Sequence, residues 1–128
     1  MPITHAAANA DLDARYGSGT PASHWFALLT SLPDLAGAGY AEPTDANYAR
    51  LEKVNNATNF PAASSGVKQL ATVLTFGTAA AAYTVVGIAI FDASTAGNLS
   101  HYQQFSANVD VAIGEWINIA AGELQIIR

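Results

Sequence analysis

Thr84-Val85-Val86-Gly87-Ile88-Ala89-Ile90-Phe91 carries no charge and is rich in β-branched residues, which marks it as a strand. Its odd positions are Val85, Gly87, Ala89 and Phe91, and its even positions include Val86, Ile88 and Ile90. Neither face of the pleat is polar, so such a strand must be covered on both sides. Asp92-Ala93-Ser94-Thr95-Ala96-Gly97-Asn98 then supplies turn chemistry. The chain runs back from Leu99 to Phe105 as the expected hairpin partner. Everything else has to pack around this hairpin.

At 128 residues the length is that of one domain spanning 1–128, long enough to bury a core. Only 12% of residues are charged, against about 25% in ordinary soluble domains. Ala, Ser, Thr, Asn and Gln must therefore cover most of the surface, a composition suited to packing against copies of itself or a larger assembly. The net charge is −5, and the basic residues Arg15, Arg50, Lys53, Lys68 and Arg128 are spread singly. No basic stripe is available for phosphates, so direct nucleic-acid binding is not expected. Cysteine is absent, which removes disulfides and thiolate metal sites. Met1-Pro2-Ile3-Thr4-His5 has no basic or apolar leader pattern, and no run is long and apolar enough to span a bilayer. The expectation is a protein made in the cytoplasm, with no membrane partner.

Along the chain, Thr4 is placed to cap a short helix to about Tyr16, with Asp11 and Arg15 at helical spacing and Gly17 just past the end. Residues 1–17 form this front element, whose face of Ala8, Leu12 and Tyr16 is narrow and is expected to lie against Gly87 and Ala89 of the central strand. His24 to Thr30 reads as a buried strand and Tyr48 to Val54 as a half-exposed one. Two long polar connections, around residues 31–45 and 55–66, carry Tyr40 and Phe60. Val67 to Phe76 reads as a further strand. Val109–Ile113, Trp116–Ala121 and Leu124–Ile127, separated by Gly114-Glu115 and Gly122-Glu123, read as a terminal meander. About seven or eight short antiparallel strands with one N-terminal helix give a mainly β fold, a β-sandwich or jelly-roll-like barrel.

No catalytic, cofactor or metal constellation emerges. His5, His24 and His101 lack partners at ligand spacing. Asp34, Glu42, Asp45 and Asp92 are explained as turn-formers, ahead of paired carboxylates for sugar hydrolysis or a loop calcium site. Trp25 and Trp116 are expected in the core rather than on a sugar-stacking platform, while Tyr40 and Phe60, with Leu12 and Tyr16 on the helix, are the candidates for protein contact. No enzyme activity is expected.

The order of weak motifs is more telling than any one of them. Ala6-Ala7-Ala8-Asn9-Ala10-Asp11-Leu12-Asp13 before Tyr16-Gly17, His24 to Thr30, Gly39-Tyr40-Ala41-Glu42-Pro43, Tyr48-Ala49-Arg50, Asn55 to Ala63, and Gly87 to Asp92 with Gly97-Asn98-Leu99 resemble a family of small tailed-bacteriophage virion proteins. Members are described as tail-fibre-like or minor structural proteins, and capsid decoration proteins share the size and β-rich build. The resemblance implies a structural protein of the virion. Of its versions, a capsid decoration or cement protein that stabilises the shell is favoured, with the major capsid protein and copies of itself as partners, a trimer being the favoured order. A tail-associated host-recognition protein is the alternative, and a small carbohydrate-binding or carbohydrate-active domain the third.

Overall fold

The computed structural model describes residues 3–127. The chain forms α1 (His5–Arg15), β1 (Ser23–Leu29), β2 (Leu51–Val54), β3 (Val67–Gln69), β4 (Leu74–Thr75), β5 (Tyr83–Phe91), β6 (Leu99–Val111), β7 (Asn118–Ile119) and β8 (Gln125–Ile127). It is mainly β, with antiparallel strands that do not close into a barrel. The strands make one sheet in the order β2-β1-β5-β6 and two small pairs, β3-β8 and β4-β7. The contacts of the chain fall into two compact units, the first built from residues 1–24, 53–74 and 119–128 and the second from 25–52 and 75–118.

In the first unit, Thr4 caps α1 by accepting a hydrogen bond from the Ala7 amide at 3.2 Å. Ala8, Leu12 and Tyr16 are buried as their shared face predicts. The helix lies against β3, and its polar side chains stitch the preceding turn. Asn9 Oδ1 accepts from the Gly66 amide at 2.8 Å, and Asp13 Oδ1 accepts from the Ala63 amide at 2.8 Å and from Lys68 Nζ at 2.7 Å. Asn55 closes the other end. Its Nδ2 donates to the carbonyls of Arg15 at 3.0 Å and Pro21 at 2.8 Å, and its Oδ1 accepts from the Gly17 amide. The last carbonyl of the helix, that of Arg15, is thus met by a side chain from a distant loop. Tyr16, His24 and Phe60 form a ring cluster, with centroids 4.5 to 5.5 Å apart.

The second unit holds the uncharged strand that dominates the sequence. Trp25 stands opposite Phe91, Ala27 opposite Ala89 and Leu29 opposite Gly87, and residues directly opposed across an antiparallel pair share a face. That face buries Ala27, Leu29, Ala89 and Phe91 under Leu32, Tyr40 and Leu99. The small residues expected to admit the helix have another use here. A Cβ on Gly87 would stand 2.4 Å from the Gln103 carbonyl oxygen and 3.1 Å from Leu32 Cδ2, so it is the neighbouring strand that approaches.

Several strand boundaries and pairings differ from those the sequence predicts. β6 runs unbroken through Val111, absorbing the first strand of the expected meander. The remaining tail strands pair elsewhere, β7 with β4 and β8 with β3. Val67–Phe76 is two short strands, with Leu70 to Val73 between them. There the Leu70 amide donates to Leu124 O at 3.0 Å and the Ala71 amide to Asn59 O at 2.8 Å.

Candidate functional site

The second unit is organised around one buried cation. Arg50 immediately precedes β2, and its side chain is only 4% exposed. Its Nε donates to Glu42 Oε1 at 3.0 Å and its Nη2 to Glu42 Oε2 at 2.8 Å, a fork-to-fork pair. Nη1 donates to the carbonyls of Ala93 at 2.8 Å and Ala96 at 2.9 Å. The guanidinium carbon lies 3.7 Å from the centroid of the Phe91 ring. Arg50 therefore joins a loop carboxylate, the core strand β5 and the hairpin loop that follows it.

That hairpin loop is ordered from within as well. Asp92 accepts from the Asn98 amide at 2.7 Å and from Asn98 Nδ2 at 3.0 Å. Gly97, at φ +73°, comes so near Asp92 and Ala93 that any side chain there would collide with them.

Tyr48 completes the centre. Its hydroxyl donates to Glu42 Oε1 at 2.8 Å and accepts from the Leu28 amide at 3.1 Å. Burial, and after it the hydrogen bond to Glu42, raise the phenol above the ordinary tyrosine range. Burial also pushes the Glu42 carboxyl up, but hydrogen bonds from Arg50 and Tyr48 and the Arg50 charge outweigh it, so Glu42 titrates below its usual range. Trp25, Glu42, Pro43, Tyr48, Arg50 and the 94–96 turn line a cleft of about 450 Å³ beside this centre.

The residues singled out from sequence are distributed differently. Leu12, Tyr16 and Phe60 are buried in the first unit; their side chains have no surface to offer a partner. Tyr40 is half-buried, its ring 5.2 Å from Phe91. Trp25 is half-buried at the cleft wall, and Trp116, expected in the core, is 56% exposed.

Asp34 and Asp45 behave as turn-formers. Asp34 Oδ1 accepts from the Ala36 and Ala38 amides, and Asp45 accepts from those of Asn47, Ala80 and Ala81. Glu42 does more than form a turn. Sequence reasoning missed its partner because Arg50 sits in an alternating stretch where a charged residue is expected to face water. Among the described residues, no group of three or more His, Asp or Glu side chains is placed to hold a metal ion, and no helix is long and apolar enough to cross a membrane.

No curated protein sequence matches the chain. A family model does, that of the podophage GP4 fiber I protein gp80, over residues 2–127. That span is nearly the whole chain and includes Glu42, Tyr48, Arg50 and the Asp92–Asn98 loop. The chain belongs to the podophage GP4 fiber I protein gp80 family, and is a structural protein of the bacteriophage virion.

Proposed function

We propose that the chain is a non-catalytic building block of a virion fibre that associates with copies of itself. The observation that carries this reading is the family match, whose description names a fibre protein. The surface of the second unit supports it. β6 is the edge of its sheet and thirteen residues long. It is exposed from Tyr102 to Asp110 except at Phe105, and Asp110 is its one formal charge. Proteins that stay alone usually blunt such an edge with Lys or Pro, and β6 has neither. Beyond it, the turn after Val111 holds Ile113 and Trp116 outward, 72% and 56% exposed, which adds apolar surface next to an open edge.

The position of the protein on the particle tests the reading. Gold-labelled antibody against the chain, viewed on intact virions by electron microscopy, should mark the tail region, and quantitative mass spectrometry should find few copies relative to the major shell protein. Label spread over the head, at copy numbers comparable to the shell protein, would make the chain a capsid decoration protein and overturn the fibre assignment. The charge-poor surface suits a shell-binding protein as well as a fibre subunit, so the location on the particle is what separates the two readings.

A further inference from the structure

The turn that holds Ile113 and Trp116 outward is itself fixed. The Glu115 amide donates to Ala112 O at 3.0 Å, and the Ala112 amide donates to Glu115 Oε1 at 2.9 Å. Two further hydrogen bonds tie the turn to Ala79, from the Gly114 amide to Ala79 O and from the Ala79 amide to Glu115 O, both at 2.8 Å. Ala80, Ala81, Ala82 and Ala112 are exposed on the two segments so joined. Small apolar groups therefore surround two large ones on a surface that has little freedom left to lose when it is covered.

The charges beside this surface have one sign. Asp45 accepts from the Ala80 and Ala81 amides at 3.1 and 2.7 Å, and Asp110 accepts from Thr84 Oγ1 at 2.7 Å. Asp110 and Glu115, with Ala82, Tyr83 and Ala112, line a cleft of about 360 Å³. The second unit offers these carboxylates no exposed lysine or arginine. Arg50 alone of those residues falls within it, and Arg50 is buried against Glu42. Asp34, Glu52, Asp92, Asp110 and Glu115 are all exposed on the same unit.

An apolar patch with an acidic border selects its partner by charge. Two copies meeting turn to turn would set Asp110 and Glu115 against the same carboxylates, and like charges in apposition are costly. A basic segment gains at every position instead. Its apolar residue covers Ile113, and an arginine or lysine can both meet the border carboxylates and lie over the Trp116 ring. We propose that the Ile113–Trp116 turn is a docking site for a peptide segment of a different virion protein, one that carries an apolar residue flanked by lysine or arginine. The site is separate from the β6 edge, and it stands whether the chain belongs to a fibre or to the shell.

The test is photo-crosslinking in intact virions. p-Benzoylphenylalanine is placed at Ile113 or, as the second position, at the exposed Ala112, and the crosslinked peptides from irradiated particles are sequenced by mass spectrometry. A segment of another virion protein with lysine or arginine next to the crosslinked residue is expected. A synthetic peptide of that segment should bind the isolated full chain, and its affinity should fall by about tenfold or more between 0.01 M and 1 M salt, as the screening length shrinks from about 30 Å to about 3 Å. Asp110→Asn with Glu115→Gln, which removes both border charges and keeps their hydrogen-bonding oxygens, should weaken binding severalfold without altering the circular dichroism. Crosslinks only to copies of this chain, crosslinks to a segment without a cation, virions that contain the labelled chain but give no crosslink, or peptide binding indifferent to salt and to the double variant would each overturn the proposal.

Discussion

Lys68 Nζ and Asp13 Oδ1 are 2.7 Å apart, yet the lysine side chain is 2% exposed and the aspartate 45%. The two ends of this ion pair therefore have unequal alternatives. Without its partner, Asp13 would be solvated by water, whereas Lys68 would be left charged in a dry site. Asp13→Ala is expected to destabilise the protein by about 3 kcal/mol, as for a buried charge left uncompensated. Lys68→Met, which fills the same space with an apolar chain, should cost less than about 1 kcal/mol. Urea unfolding of the two variants checks the order. Equal losses would mean that the lysine finds water or another acceptor when Asp13 is gone.

Arg50 is predicted to resist conservative replacement. A lysine carries one ammonium and cannot serve both Glu42 oxygens and two carbonyls on the far side of the fork. Arg50→Lys should lower stability by about 2 kcal/mol, within the range for breaking a buried charged network. Its local effect should be larger than its global one. The Asn98 amide, held by Asp92 in the loop that Arg50 supports, should lose hydrogen-exchange protection before the β5 amides do.

Acid should unfold the protein through three carboxylates. Asp13 is held low first by the hydrogen bond from Lys68 and then by the Ala63 amide. Asp45 is held low first by the Ala80 amide, and Glu42 by Arg50 and Tyr48 against the cost of burial. A folded-state value below the unfolded one means that the stabilisation is complete above the unfolded carboxylate range of about pH 4 and is lost as pH falls through the depressed values. Denaturant midpoints should be level near neutrality and fall below about pH 4. Asp45→Asn should make that fall shallower. Tyr48 has the opposite sense at the alkaline end, since its raised phenol favours the folded state until pH passes the unfolded value of about 10 and the unfolded chain begins to ionise.

Gly87→Ala tests the close approach of β6. The added methyl would meet a backbone carbonyl, which cannot swing aside as a side chain end can. A loss of about 2 kcal/mol is expected, typical of overpacking, measured as a shift in the thermal or urea midpoint.

What the sequence made legible was local. The uncharged, β-branched run of Thr84 to Phe91, the Thr4 cap, and the small face of Ala8, Leu12 and Tyr16 are properties of neighbouring residues, and each appears as read. Strand partners are a different kind of information. Ala112-Ile113-Gly114-Glu115 is a turn, with the Glu115 amide donating to Ala112 O at 3.0 Å and Gly114 at φ +82°. Turn chemistry sets where a chain bends and says nothing of what it meets afterwards. Here the chain leaves β6 and pairs with β4, so the expected meander does not form. The site was hidden for a related reason. Glu42 and Arg50 lie eight residues apart in stretches whose local patterns read as a turn and a half-exposed strand, and the remaining acceptors of the guanidinium come from the Asp92–Asn98 loop, far along the chain.

The exposed edge gives the sharpest test of self-association. If β6 pairs with its equivalent in a second copy, a positive charge placed along the strand at Gln104 or Asn108 should confront the same charge across the junction and break it, as lysines do on natural edges. Gln104 and Asn108 are exposed in the single chain, so Gln104→Lys with Asn108→Lys should change its stability by no more than about 0.5 kcal/mol. Sedimentation velocity of the parent chain should show oligomers that the double variant lacks, while circular dichroism stays the same. Ile113→Ser with Trp116→Ser, on the adjoining turn, separates the two surfaces. Dissociation by these changes alone would place the contact on the turn, and a parent chain that sediments as a monomer at all concentrations would overturn self-association through β6.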